Sequence, residues 1–315
     1  MSSSAEQPAA KTEPKTGAAH PRQAYLLLAL ASLFWSVNHI VGRAIGGHVP
    51  PLALSFLRWL IPIAVLWLIA RPHLRHEWKD IRRHWIVLVW LAATGGALFT
   101  VLQYVGLQYT SALNVSVFNS LVPVLIVAAS GALFRERIAP LQLAGIVVSS
   151  TGVLVVIAHG TLETLAQLNF NWGDLIIVLN MAVFAIYAAC LRLRPPMHWS
   201  SFLFVIAVVS TVGTLPFFLQ EIASGYTLKA DWITFGAIAY VSVFPSVLSF
   251  AAWNRGVELI GANRSGPFLH LIPIYTALLA GTLLGEHLAW YHAAGFALIL
   301  IGVWLASVRP SGKRG

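Results

Sequence analysis

The chain carries an echo of itself. The stretch from Phe118 to Ala158 begins FNSLVPVLIVAASGALFRERIAPLQLAG, and the stretch from Phe268 to Val308 begins FLHLIPIYTALLAGTLLGEHLAWYHAAG. Laid over each other without a gap, they share Phe118/Phe268, Leu121/Leu271, Pro123/Pro273, Gly131/Gly281, Leu133/Leu283, Glu136/Glu286, Gly145/Gly295 and Gly152/Gly302, every pair 150 residues apart. Self-similarity at a fixed period marks a repeated architecture. Both copies are apolar along most of their length, so the repeated unit is a set of apolar helices.

Composition says where such helices live. Hydrophobic residues make up 58% of the chain and charged residues 10%, against about 25% charged in a soluble domain. Ten stretches of roughly helix-spanning length follow one another: 24–44, 51–70, 85–107, 112–134, 140–158, 173–193, 200–219, 231–253, 265–285 and 289–308. About 20 apolar residues cross a ~30 Å hydrocarbon core as a helix. The connections are short except 71–84, 159–172 and 220–230, and no soluble domain fits between them. The expected fold is an all-α integral membrane protein. Residues 1–23 are polar and read as a disordered tail, since they lack the apolar core and cleavage site of a signal peptide. Residues 309–315 form a second short tail. The single cysteine, Cys190, leaves no disulfide framework or thiolate cluster.

The net charge of +9 belongs to membrane topology rather than to a nucleic-acid partner, because Lys and Arg collect on the cytoplasmic side. With the N-terminus inside, the inner surface receives Lys11, Lys15 and Arg22 from the tail, and Arg71, Arg75, Lys79, Arg82 and Arg83 from the second connection. It also receives Arg135, Arg137, Arg192, Arg194, Arg255, Arg264, Arg309, Lys313 and Arg314. The outer side keeps Arg43 and Lys229, and Arg58 lies within the second span. Both termini are therefore expected in the cytoplasm. Five spans separate each element from its echo, so equivalent connections face opposite sides. Charge agrees: RER at 135–137 becomes GEH at 285–287, and the basic 71–84 connection is echoed by 220–230 with one Lys and one Glu. The expected architecture is ten transmembrane helices as two inverted five-helix repeats, 24–158 and 173–308, an arrangement used by transporters whose substrate site lies near mid-membrane.

Candidate site residues follow from helix faces. Ser116, Asn119, Ser120 and Pro123 share one face of the fourth span. Gly266, Leu269, His270 and Pro273 share the matching face of the ninth. Each proline leaves the carbonyl four residues earlier without its helical donor. Kinked helices with freed carbonyls beside polar groups suit a cavity. In the first span Trp35, Asn38, His39 and Gly42 share a face. Asn38 either binds substrate or bonds a neighbouring helix. His39 and His270 are candidates for protonation or, more commonly, for packing. Gln103 and Tyr104 in the third span, Tyr187 in the sixth, Trp253 and Asn254 in the eighth, and Tyr275 in the ninth complete the candidate lining. Trp85, Trp232 and Trp290 read as interfacial anchors.

The charges exclude several functions. No Asp or Glu lies mid-span, so nothing supports ion coupling through a buried carboxylate. Glu136 lies between Arg135 and Arg137, and Glu258 is three residues from Arg255, both of which favour ion pairing. Arg58 is read first as snorkelling or pairing between helices, with a substrate carboxylate as the alternative partner. There is no phosphate-binding glycine loop, zinc motif or nucleophile elbow. Nothing calls for a cofactor or a metal, and the chain is not expected to be an enzyme.

Several segments resemble a known family. LFWSVNHIVGR resembles the opening of EamA-type domains, and SFLRWL their Arg-containing segment. YTSALNVSVFNSLVPVLIVAASGALFRERI resembles the Thr-Ser-Ala, Pro and Glu stretch. GDLIIVLNMAVFAIYAACLR resembles the start of the second copy. FPSVLSFAAWNRGVELIGANRSGPFLHLIPIYTALLAGTLLGEHL resembles the most recognisable part. Arg135 stands where many members have Gly before the first Glu, whereas Gly285-Glu286 keeps the pattern. The resemblance implies the drug/metabolite transporter superfamily and a central cavity lined mainly by the first, third, fourth, sixth, eighth and ninth helices. It also implies export of small metabolites, amino acids first, from a multi-pass protein of the cell inner membrane. The aromatic candidates favour large apolar or aromatic amino acids. A drug or nucleotide-related metabolite carrier is the alternative within transport, and a membrane enzyme or lipid-handling scaffold the alternative outside it. The expected partners are a small-molecule substrate and the lipid bilayer, with the chain a monomer or homodimer.

Overall fold

The structure is a computed structural model that describes residues 21–45, 48–110, 112–166, 171–283 and 289–307. Glu286, the tails at 1–20 and 308–315, and the side chain of His39 lie outside the described residues. All regular structure among the described residues is helical. Besides short turns there are α1 (Pro21–Ala44), α2 (Pro51–Arg83), α3 (Trp85–Leu107), α4 (Ala112–Asn119), α5 (Val122–Phe134) and α6 (Pro140–Ile157). They are followed by α7 (Trp172–Leu193), α8 (Trp199–Ala223), α9 (Trp232–Ile260), α10 (Leu271–Leu283) and α11 (Trp290–Ser307). Of these, α2, α3, α6, α7, α8, α9 and α11 are long and apolar enough to cross a membrane. The shorter α5 is apolar too.

Three features differ from the sequence expectation. First, α1 already includes residues 21–23, which the sequence assigns to the tail. Second, the expected loop 71–84 is a continuation of α2, which runs 33 residues, or about 50 Å at ~1.5 Å per residue. Its polar end, RPHLRHEWKDIRR, is rich in good helix formers, and Pro72 does not stop it. Third, the expected fourth span is two helices. Pro123 cannot donate to the Asn119 carbonyl, and the chain turns at Ser120–Leu121 before α5 starts. The matching place in the second half is a 3₁₀ segment, Gly266–His270, leading into α10.

Two helices carry a wide π-helical turn: Ala93–Ala97 in α3 and Phe244–Leu248 in α9. Their starts are 151 residues apart. Such turns insert a residue into an α-helix and are frequent at functional sites.

Packing is closest between α6 and α11. A Cβ on Gly145 would lie 2.6 Å from the Gly302 carbonyl, and one on Gly152 would lie 2.7 Å from the Gly295 carbonyl. Residue number rises along one helix as it falls along the other, so the two run antiparallel. On the other flank, α2 packs on α8 through the Phe56–Phe218 stack, with centroids 4.6 Å apart. An apolar groove of about 450 Å³, lined by Leu60, Ile63, Ala64, Trp67 and Phe204, runs along this pair.

The two ends of the bundle are tied differently. At one end Glu136 pairs with Arg192 at 2.5 Å and accepts from Asn263 at 2.8 Å. There Glu258 takes both Arg194 at 3.2 Å and Arg255 at 3.0 Å. At the other end carboxylates cap helices. Glu221 from α8 accepts the backbone N–H groups of Leu52 and Ala53 at the start of α2. Asp231 caps α9 through Thr234 and pairs with His48. Asp174 completes a capping box with Asn171 and also accepts from Thr110 and Asn114, fastening α4 to α7.

Candidate functional site

Aromatic rings dominate the middle of the bundle. Trp35 of α1 meets Trp253 at 5.7 Å, Phe250 at 5.9 Å and Phe184 at 6.1 Å between centroids. Behind it Tyr187 is fully buried and donates to the Asn254 carbonyl oxygen at 2.7 Å. Its ring covers Gly95 in the α3 π-turn, where a Cβ would lie 2.5 Å from two ring carbons.

The candidate residues divide into two groups. Tyr187, Trp253, Asn254 and His270 are closed off in packing. His270 shows why: Nε2 donates to the Ser120 carbonyl at 3.1 Å, and Nδ1 meets the Ser149 hydroxyl at 2.8 Å. The Ser120 carbonyl is open to this bond because the helix breaks there. Trp35, Asn38, Gln103, Tyr104, Asn119 and Tyr275 are half-buried. Gln103 accepts from Asn180 at 2.7 Å. Trp35 and Tyr275 pack on the larger apolar cluster, whereas Tyr104 packs on a smaller one with Val41, Ile45 and Val241. The side chains of Asn38 and Asn119 take part in none of the hydrogen bonds among the described residues. Half-buried amides with spare donors and acceptors are groups that can recognise a polar ligand.

The α9 π-turn is knitted to two other helices. Pro245 has no N–H for the Val241 carbonyl, and the Ser246 hydroxyl donates to it at 2.7 Å instead. That same hydroxyl accepts Nε of Arg58 from α2 at 2.9 Å. On the other side Trp35 donates its indole N–H to the Pro245 carbonyl at 3.2 Å. Arg58 is only 6% exposed, so it bridges helices rather than reaching for the surface.

Residues 22–158 and 171–308 each match the EamA-like transporter family. The chain belongs to the EamA-like transporter family. It is 27% identical over 287 residues to YyaM of Bacillus subtilis, an uncharacterized transporter, covering 90% of this chain and 93% of that one. It is 24% identical over 310 residues to a protein of Salmonella typhimurium named as a probable amino-acid metabolite efflux pump, covering 89% and 93%. A solved crystal structure shares the fold, with a TM-score of 0.71 at 20% identity over 91% of this chain and 96% of the other.

In this EamA-like chain, sequence reasoning overlooked the π-turns and the partners of Glu136. The flanking Arg135 and Arg137 do not pair with Glu136; the partner is Arg192, 56 residues on. A signal for the π-turns was present as Gly95-Gly96 and Pro245-Ser246 at matching places in the two halves. The Arg255–Glu258 pair stands as its spacing implied.

Proposed function

We propose that this EamA-like chain exports amino acids, large apolar or aromatic ones first, across the cell inner membrane. In this reading the ten crossings form two inverted halves, 24–158 and 173–308, with both termini in the cytoplasm and alternating access at their interface. The observation that carries the reading is that polar and aromatic candidates on several helices stay half-buried rather than sealed in packing. The amides of Asn38 and Asn119, without hydrogen-bond partners among the described residues, supply polar recognition, and Trp35, Tyr104 and Tyr275 supply aromatic surface. The inverted pairing is supported by exchanged contacts. Gly145 meets Gly302 while Gly152 meets Gly295, the pattern a two-fold axis across antiparallel helices produces. The spacing of the π-turns and the contact of His270 with Ser120, its counterpart 150 residues earlier, support the same relation.

Uptake into proteoliposomes with a labelled panel of amino acids, nucleosides and cationic drugs tests the reading. Saturable flux of phenylalanine, tryptophan or leucine is expected, and flux confined to nucleosides or drugs, or no flux, would overturn it. Replacing Asn38 and Asn119 together by Ala is expected to cut flux about tenfold or more, as losing two ligand hydrogen bonds implies. Full flux in that double variant would move the site elsewhere. Transport is expected to run down the substrate gradient, so accumulation above equilibrium after a pH jump would show obligatory coupling instead.

A further inference from the structure

A buried guanidinium needs compensation, and Arg58 has little. Among the described residues no carboxylate lies within ion-pair distance of it. Its contacts are the Ser246 hydroxyl through Nε and the Trp59 ring, 5.9 Å from the guanidinium carbon. Arginine carries five N–H donors. One is used, and no hydrogen bond among the described residues takes the four on the terminal nitrogens. The acids at this end of the bundle are committed elsewhere: Glu221 to the start of α2, Asp231 to Thr234 and His48. An ionisable group held this way inside a membrane-spanning helix is costly and marks a functional position by default.

Other polar groups on the same two helices also lack partners. Ser55 lies one turn before Arg58 on α2, and Ser242 one turn before Ser246 on α9. Both hydroxyls are buried without a partner, and so is the Trp59 indole N–H. The two helices run parallel here, since His48 meets Asp231 just before their starts and Arg58 meets Ser246 further along. Two unpartnered hydroxyls and an indole N–H therefore lie on the same two helices as the Arg58–Ser246 contact. What the guanidinium lacks is an anion. Because Nε is occupied by Ser246, the open geometry is end-on, with both terminal nitrogens presented as a fork that matches the two oxygens of a carboxylate.

We infer that Arg58 receives the carboxylate of the transported molecule, in the seam between α2 and the α9 π-turn. The inference rests on the transport reading above and narrows its substrate class to compounds with a free carboxylate. Pro245, next to Ser246, accepts from Trp35, so the seam adjoins the aromatic surface that holds the rest of the substrate. Arg58 is 6% exposed, so little room is open beside it in this arrangement, and entry of the anion accompanies a shift of the π-turn away from α2.

Thermal unfolding of the purified full chain, with L-phenylalanine, phenylacetate, phenethylamine and inorganic phosphate at matched concentrations, tests this. The two carboxylates are expected to stabilise the protein and the amine is not. Arg58→Gln is expected to abolish that response. Arg58→Lys, which keeps the charge but loses the fork, is expected to weaken apparent affinity about tenfold or more. Ser246→Ala, which frees Nε, reports on orientation in a folded background should the arginine variants fail to fold, and is expected to weaken the carboxylate response. Equal stabilisation by phenethylamine, an unchanged carboxylate response in Arg58→Gln, no response to either carboxylate, or a response to phosphate alone each overturns the inference. The two readings fail separately. Arg58-dependent stabilisation by phenylacetate without amino-acid flux removes the export reading and keeps this one. Phenylalanine flux with unchanged half-saturation in Arg58→Gln does the reverse.

Discussion

The two π-turns occupy matching places in the two halves and are built in opposite ways. The one in α3 is ATGGA, a stretch almost without side chains. It makes room: Gly95 lies under the Tyr187 ring, and Gly96 lies against the Ser210 hydroxyl. Its neighbours press onto bare backbone. The one in α9 is FPSVL. It holds: Ser246 and Pro245 bond to α2 and α1, and a cation is suspended from the turn. Gly95 and Ser246 are 151 residues apart. The backbone irregularity is common to both helices while the chemistry is confined to one. A duplicated frame can therefore keep its bends in both halves and differentiate the groups that meet a ligand.

That contrast can be broken experimentally. The largest effect is expected from Gly95→Val, which drives side-chain atoms into a fully buried ring. Overpacking costs about 1–3 kcal/mol, and the value should lie at the upper end, read as a lower unfolding temperature in detergent. Stability equal to the parent chain would show that the α3 turn does not depend on close approach. Tyr187→Phe removes the donor to Asn254 while keeping the ring over Gly95. The expected loss is about 1–2 kcal/mol from an amide left unpaired. No change would assign the ring alone to the contact. Trp35→Phe removes the indole bond to the Pro245 carbonyl and should cost about 1 kcal/mol of stability, with faster amide exchange confined to α9 and none in α3.

The smallest effect concerns how each helix begins. Asp231 caps α9, and its carboxyl is held below the ordinary 3.8, first by the backbone N–H of Thr234 and then also by His48. A depressed carboxyl stabilises the folded state above its ordinary value, and that stabilisation is lost as pH falls through the folded value. His84, at the start of α3, makes no side-chain cap. Acidification below the ordinary carboxyl range should therefore speed amide exchange in the first turn of α9 before it does so in α3. Equal acid sensitivity of the two starts would remove this asymmetry.

Much of this organisation was legible in the sequence. The apolar runs located most helices, and the 150-residue echo located Pro123 and Pro273. The misses have physical causes. Residues 71–84 read as a loop because they are charged, yet Leu, Arg, Glu and Lys continue a helix as well as apolar residues do. A π-turn adds a single residue and leaves the hydropathy of its helix unchanged. His270 was a candidate for the site because it is polar and mid-helix. Its partners Ser149 and Ser120 belong to other parts of the chain, and only the break before Pro123 opens the Ser120 carbonyl to it. Arg58 was noticed, but its bond to Ser246 spans 188 residues.

The contact between His270 and Ser120 has a further consequence. In the proposed exchange of roles between the halves, every contact between them is traded for the one its counterparts make. A pair formed by a position and its own counterpart maps onto itself as a pair of positions, whichever of the two supplies the side chain. His270 and Ser120 are such a pair, so in that proposed exchange their place in the bundle should move least. Motion should grow with distance from it, towards the ion pairs at one end of the bundle and the helix caps at the other.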